Sequence, residues 1–213
     1  MMVIYGSPRS RSTRALWAAE EAEIPYEFKS VDFTTGAHRS PEYLALHPGG
    51  KVPTLVQDDF VLRESGAIVT WIGEQAPEKG LVPVAGSREH AQYLQWMCFV
   101  LSELEQPLWT VAKHTFALPA KYRIEAIKPV AFKEFDWAAA VLAKGLAGRE
   151  YLVGDRFTMV DLLAGHTLTW ATRALKIELE DEGVRAYAQR VLSRPALRRA
   201  VDREKGAPVL QHP

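Results

Sequence analysis

A small α/β domain followed by an all-helical one is the architecture this sequence predicts. Strand and helix patterns alternate over the first third of the chain, a stretch punctuated by Pro77, Gly80, Pro83 and Gly86 follows, and long amphipathic helical segments fill the remainder. The boundaries drawn from these observations are residues 1–76 for the first domain, 77–86 for a linker and 87–213 for the helical domain.

Met2 to Tyr5 is a short apolar run broken by Gly6 and Pro8, as expected of a buried strand ending in a turn. Thr13 to Glu23 sets Ala15, Ala18, Ala19 and Ala22 at helical spacing, so that one face can pack closely on a sheet. Tyr26, Phe28 and Val31 mark a second strand, which a right-handed crossover places parallel to the first. Thr54 to Gln57 and Phe60 to Leu62 flank Asp58-Asp59 as a tight hairpin. Ala67, Ile68, Trp71 and Ile72 then form the apolar stripe of another helix. The order β-α-β-(α)-β-β-α is that of a thioredoxin-like domain. Beyond the linker, His90 to about His114, Tyr122 to about Leu146, Val160 to about Leu175 and Gly183 to Leu192 read as amphipathic helices. Thr158 and Asp161 stand as a capping box at the start of the third.

Composition narrows the function classes. Among 213 residues, Lys+Arg and Asp+Glu balance at 26 each, which leaves no global field to draw nucleic acid or anionic lipid. The basic run from Arg194 to Arg203 is interrupted by Asp202 and reads as a solvated helix face. A single cysteine, Cys98, excludes an intrachain disulfide framework and suits a reducing compartment. It lies within Trp96-Met97-Cys98-Phe99-Val100 and reads as a buried core residue. No apolar run approaches the ~20 residues needed to cross a bilayer, and Met2-Val3-Ile4-Tyr5 leaves no room for a secretory leader. A cytoplasmic protein without membrane or nucleic-acid partners is expected.

Three short segments carry the chemistry. Ser7-Pro8-Arg9-Ser10 follows the first strand, Lys51-Val52-Pro53-Thr54-Leu55 opens the third, and Arg63-Glu64-Ser65-Gly66-Ala67-Ile68 leads into the helix after the fourth. Pro53 cannot donate to a strand ladder, so it belongs at a strand's first residue. A cis Val52-Pro53 peptide would turn the Val52 N–H and C=O outward to pair with an extended peptide, whereas a trans bond would make Pro53 an ordinary strand start. Glu64-Ser65 opens a helix whose N–H groups and dipole favour a carboxylate. A peptide-like ligand with one amine and two carboxylates fits these pieces.

The Ser-Pro-x-Ser loop, Lys51-Val52-Pro53, Glu64-Ser65-x-Ala67-Ile68 and Phe157-Thr158-x-x-Asp161 occur in an order and spacing that resemble the cytosolic glutathione transferase superfamily. The serine loop looks most like the serine-type members, bacterial-like, with the class left open. The resemblance implies glutathione as co-substrate, with neither cofactor nor metal, and a homodimer. It implies Ser10 as the catalytic hydroxyl: near a helix start, it would donate to the thiolate and favour the charged form by about 1.5–3 kcal/mol, or roughly one to two pK units. The residues alone fit equally a Ser10 that only caps the helix, and Ser12 is the competing donor. Arg9, Arg11 and Arg14 read as solvent-facing charge, the alternative being a raised local potential for an anionic tripeptide. Val52, with Pro53 fixing its geometry, would pair with the cysteinyl unit. Glu64 would take the γ-glutamyl ammonium and Ser65 its α-carboxylate. Lys51 and His38 are candidates for the glycyl carboxylate, although a loop histidine is often simply solvated. For a small hydrophobic electrophile the helical domain offers Trp109, His114 and Phe116, which also fit a purely structural apolar role.

The implied activity is conjugation of the glutathione thiolate to a small hydrophobic electrophile, a detoxification chemistry. The alternatives are a glutathione-dependent disulfide or peroxide reductase and a non-catalytic binding protein on the same fold. Cys98 lies outside the loop after the first strand, which argues against a mixed-disulfide mechanism.

Overall fold

The computed structural model describes residues 1–206, which form two compact units. One comprises Met1–Val82 joined by the chain from Ser193 onward; the other is Pro83–Leu192.

The first unit is built on a four-stranded sheet of order β2-β1-β3-β4, formed by β1 (Met2–Gly6), β2 (Tyr26–Ser30), β3 (Thr54–Gln57) and β4 (Phe60–Arg63). β1 and β2 are parallel, and β3 runs antiparallel to both β1 and β4. The hairpin between β3 and β4 turns at Asp58, whose φ of 55° lies in the left-handed region that Asp tolerates better than most residues. The crossover helix α1 (Ser12–Ala22) buries Ala15, Ala18, Ala19 and Ala22 as its spacing predicts, and Leu16 and Trp17 as well. α2 (Pro41–Leu46) starts at Ser40, whose Oγ accepts the Tyr43 N–H at 3.1 Å. α3 (Ser65–Glu74) packs on α1.

In the second unit, the segment expected as one helix from His90 is broken into α4 (Arg88–Phe99), a π turn over Val100–Leu104, α5 (Gln106–Ala112) and a second π turn over Lys113–Ala117. Pro107 accounts for the first break. A proline ring clashes with the carbonyl four residues back, and the chain widens just before it, with Glu105 N–H donating five residues back to Val100 at 2.9 Å. α6 (Lys128–Leu146), α7 (Met159–Thr169), a third π turn (Trp170–Ala174) and α8 (Glu182–Leu192) complete the unit around Leu104, Leu108, Phe135, Leu142, Leu163 and Tyr187. The capping box is present: Thr158 N–H donates to Asp161 Oδ2 at 2.8 Å. Among the described residues no helix is long and apolar enough to cross a membrane.

α9 (Pro195–Lys205) returns to the first unit and packs along α1. The basic run Arg194 to Arg203, expected as a solvated face, is only partly so. Arg194 makes a two-pronged pair with Glu21 at 2.6 and 2.7 Å, and Arg199 binds Glu20 at 2.7 Å. Ala196, Ala200 and Glu204 turn inward. This second cover explains why α1 is buried on nearly every side rather than on one face.

Candidate functional site

The sheet register gathers the three chemistry-bearing segments. Tyr5 of β1 lies opposite Thr54 of β3, and Thr54 lies opposite Arg63 of β4. Because β3 is antiparallel to both neighbours, the exit from β1, the entry to β3 and the exit from β4 share one end of the sheet. Ser7 to Ser10, Val52-Pro53 and Glu64-Ser65 therefore converge there.

The serine loop is an internally bonded turn. Ser10 Oγ accepts the Ser12 N–H at 3.1 Å, while the cap position of α1 itself is held by Arg11, which makes no side-chain cap. Its oxygen lies 2.6 Å from the Ser7 carbonyl and 2.9 Å from Ser12 Oγ, both positioned to accept its proton. Donation to a ligand requires that proton to turn away while the Ser12 N–H still holds the oxygen. Ser12 differs: it is 0% exposed, and its Oγ accepts the Ser7 N–H at 3.1 Å. Gly6 lets it pack there, since a Cβ on Gly6 would lie 2.4 Å from that of Ser12. Ser10 keeps exposed surface and Ser12 does not, so the accessible hydroxyl of this pair is Ser10.

The Val52–Pro53 peptide is cis. A residue not anticipated from the sequence, Tyr43 of α2, braces this turn from behind. Its hydroxyl donates to the Lys51 carbonyl at 2.6 Å and lies 3.1 Å from Thr54 Oγ1, and its ring packs with Val31, Ala37 and Val52. Burial pushes the Tyr43 phenol up to about 12, so it stays a donor at any ordinary pH. Tyr43→Phe is expected to lower the unfolding free energy by about 1–2 kcal/mol in a urea titration, because the Lys51 carbonyl loses its donor and the Thr54 hydroxyl loses its acceptor. A midpoint equal to the wild type would show that these bonds carry no net stability. Lys51 is exposed, and His38 stacks on Phe33 at 4.4 Å between ring centroids. Burial, helped by Arg39, lowers the His38 pKa from its usual value, which makes the ring neutral near pH 7.

Glu64 precedes α3 with φ of 68° and ψ of 116°, a region that L-residues seldom occupy outside functional sites. Its side chain is exposed, whereas Ser65 is buried. Arg14, read from the sequence as solvent-facing charge, is instead fully buried, and its Nη1 donates to Ser65 Oγ at 3.1 Å. Acting as an acceptor from Arg14, Ser65 keeps its own O–H for donation. The guanidinium also places a positive charge beside the start of α3. Charge type along the sequence does not reveal burial; the pairing with Ser65, 51 residues away, does. Among the described residues no group of His, Cys, Asp and Glu side chains is placed to hold a metal ion.

Residues 1–74 match the family model for the glutathione S-transferase N-terminal domain, and residues 105–195 match that for its C-terminal domain. The chain belongs to the glutathione S-transferase family. It is 30% identical to glutathione S-transferase GST-4.5 of Xanthomonas campestris, over 95% of this chain and 98% of that one. It is also 30% identical to glutathione S-transferase 3 of Zea mays, over 93% and 92% of the two chains. The ternary complex of BphK, a bacterial GST, superposes with a TM-score of 0.85 at 28% identity, covering 95% of this chain and 99% of that one. A sphingomonad glutathione S-transferase complexed with glutathione gives 0.83 at 28% identity, covering 96% and 100%.

In the helical unit of this transferase, Trp109 on α5 pairs with Trp170 of the third π turn at 6.4 Å between ring centroids. The Nδ1 of His114 accepts the Ile124 N–H at 3.0 Å, which fixes the ring, and Phe116 is 66% exposed. Trp170 was not singled out from the sequence, because a tryptophan at the end of an apolar helix reads equally as core. Cys98, expected in the core, is exposed. The inward positions are Tyr93, Met97, Val100 and Leu104, spaced by three or four residues, and Cys98 falls one step outside that stripe.

Proposed function

We propose that this transferase conjugates the glutathione thiolate to a small hydrophobic electrophile, with Ser10 as the hydroxyl that stabilises the thiolate. The observation that carries this reading is the convergence of the Ser10 loop, the Val52–cis-Pro53 turn and the Glu64-Ser65 helix start at one end of the sheet. In this reading residues 1–76 form the glutathione-binding domain. The backbone of Val52, oriented by Pro53, pairs with the cysteinyl unit. The Glu64 carboxylate takes the γ-glutamyl ammonium, and Ser65 with the first N–H groups of α3 takes its α-carboxylate. Lys51 supplies the charge for the glycyl carboxylate, and a neutral His38 contributes a hydrogen bond rather than a second charge. Ser12 supports the loop from behind. Trp109, His114 and Phe116 contact the electrophile.

Thiolate stabilisation combines with proximity: a bound nucleophile held against its electrophile gains rate without new covalent chemistry in the protein. The test is a pH titration of thiolate ultraviolet absorbance for glutathione bound to the purified protein. A midpoint well below the free thiol's supports the reading, and binding without that shift favours the non-catalytic one. Turnover of a disulfide or hydroperoxide in place of a haloarene would favour the reductase. A homodimer in the cytoplasm accompanies this proposal, and a monomer in sedimentation at micromolar concentration would sink the dimer.

A further inference from the structure

Glu204 is the only acidic residue on the inward side of α9, and it is 6% exposed. Its Oε1 accepts the Thr13 hydroxyl at 2.6 Å, and its Oε2 accepts the Arg9 N–H at 3.3 Å. These two contacts flank Ser10 in sequence: Arg9 stands immediately before it, and Thr13 lies in the first turn of α1. Arg9 has φ of 58°, a left-handed conformation that is costly for a residue with a Cβ, so the loop needs an outside constraint to stay in this shape. The loop's own bonds, Ser7 to Ser12 and Ser10 to Ser12, tie it to the first residue of α1. The Glu204 carboxylate adds a tie to α9, bonding the loop at Arg9 and the start of α1 at Thr13 from 191 residues further along the chain.

We propose that Glu204 is a positioning residue for the thiolate site, clamping the loop on both sides of Ser10 so that its hydroxyl is held where the glutathione sulfur binds. This rests on Ser10 being the thiolate donor. A carboxylate suits the task because its two oxygens accept from two donors at once, one from backbone and one from a side chain. The clamp touches neither substrate nor reacting atoms; it acts through the loop, where a displacement of about 1 Å is enough to cost up to a hundredfold in rate.

The test compares wild type, Glu204→Ala, Glu204→Gln and Thr13→Val by the pH midpoint of bound-glutathione thiolate absorbance, with the folded fraction followed by circular dichroism. Glu204→Ala is expected to move the midpoint up by about one unit, a tenfold loss of thiolate stabilisation. Its KM for glutathione should change less than about twofold, because the peptide-binding groups lie elsewhere. Glu204→Gln should return the midpoint close to wild type, since its carbonyl can accept from Arg9 while its amide donates to the Thr13 oxygen. A merely structural contact would lower the folded fraction and leave the midpoint of the folded protein alone, and that result in Glu204→Ala would overturn the proposal. Should Glu204→Ala fail to fold, Thr13→Val decides by the same midpoint, because it removes one hydroxyl and keeps the carboxylate. If wild type and variants all titrate at the free-thiol value, the thiolate reading has failed and the clamp falls with it. If wild type is shifted and the variants match it, the clamp alone is wrong.

Discussion

Ser10→Ala is expected to raise the pKa of the bound glutathione thiol by about one to two units and to cut turnover at pH 7 by roughly ten- to a hundredfold. The argument is differential: a hydroxyl that donates to sulfur favours the thiolate over the thiol, and its loss returns the bound thiol towards its free value. Ser12 offers no replacement, since it is fully buried and its oxygen is already held by the Ser7 N–H. Glutathione affinity should change far less than turnover, because the proposed peptide contacts belong to Val52, Glu64 and Ser65. The signature is a pH profile displaced to the alkaline side, with activity recovering once the solution itself ionises the thiol. An unchanged profile would mean that the thiolate is stabilised elsewhere, and the backbone N–H groups at the start of α1 would become the first candidates.

Asp161→Ala is expected to destabilise the helical unit strongly, by about 3–5 kcal/mol, because several buried donors lose their acceptor at once. The sequence announces this residue as half of a capping box, but its role is wider. Asp161 is 0% exposed and accepts from four donors: the Leu152 N–H at 2.9 Å, the Thr158 N–H at 2.8 Å, the Thr158 hydroxyl at 3.0 Å and the Tyr187 hydroxyl at 2.9 Å. One carboxylate thus joins the start of α7, the loop before it and α8. Burial raises its pKa, and the four donors oppose that rise. Alanine would leave all four without an acceptor inside the unit. Asp161→Asn, which keeps the shape but turns one acceptor into a donor, should fall between alanine and wild type. Urea titrations of the three proteins provide the measurement, and a loss below about 1 kcal/mol for alanine would show that water or rearrangement replaces the network.

What could be read from the sequence was what short-range rules encode. The β1 turn, the strand-opening Pro53, the hairpin at Asp58-Asp59 and the Thr158-Asp161 box each announce themselves within a few residues, through a missing N–H, a tolerated φ or a capping side chain. The order and spacing of such signals carry the resemblance to the glutathione transferases. What escaped reading depends on distant partners. Arg14 looks like any surface arginine until Ser65 is placed beside it, and Tyr43 like any apolar position in a short helix until Lys51 and Thr54 arrive. Cys98 was misplaced for another reason: an apolar neighbourhood was given more weight than helical phase, and phase decides which side of a helix is wet. The π turn before Pro107 was hidden because one extra residue in a helix leaves no mark on a short hydrophobic pattern.

The packing of α9 on α1 has a consequence for how the protein is made. A ribosome delivers β1, α1 and the serine loop first and α9 only after the whole helical unit has emerged, although chain segments generally begin to fold as they appear. Until Arg194, Arg199 and Glu204 arrive, the outer side of α1 and the loop that bears Ser10 await their partners. The nascent first unit is therefore an unfinished body that waits on the synthesis of the second.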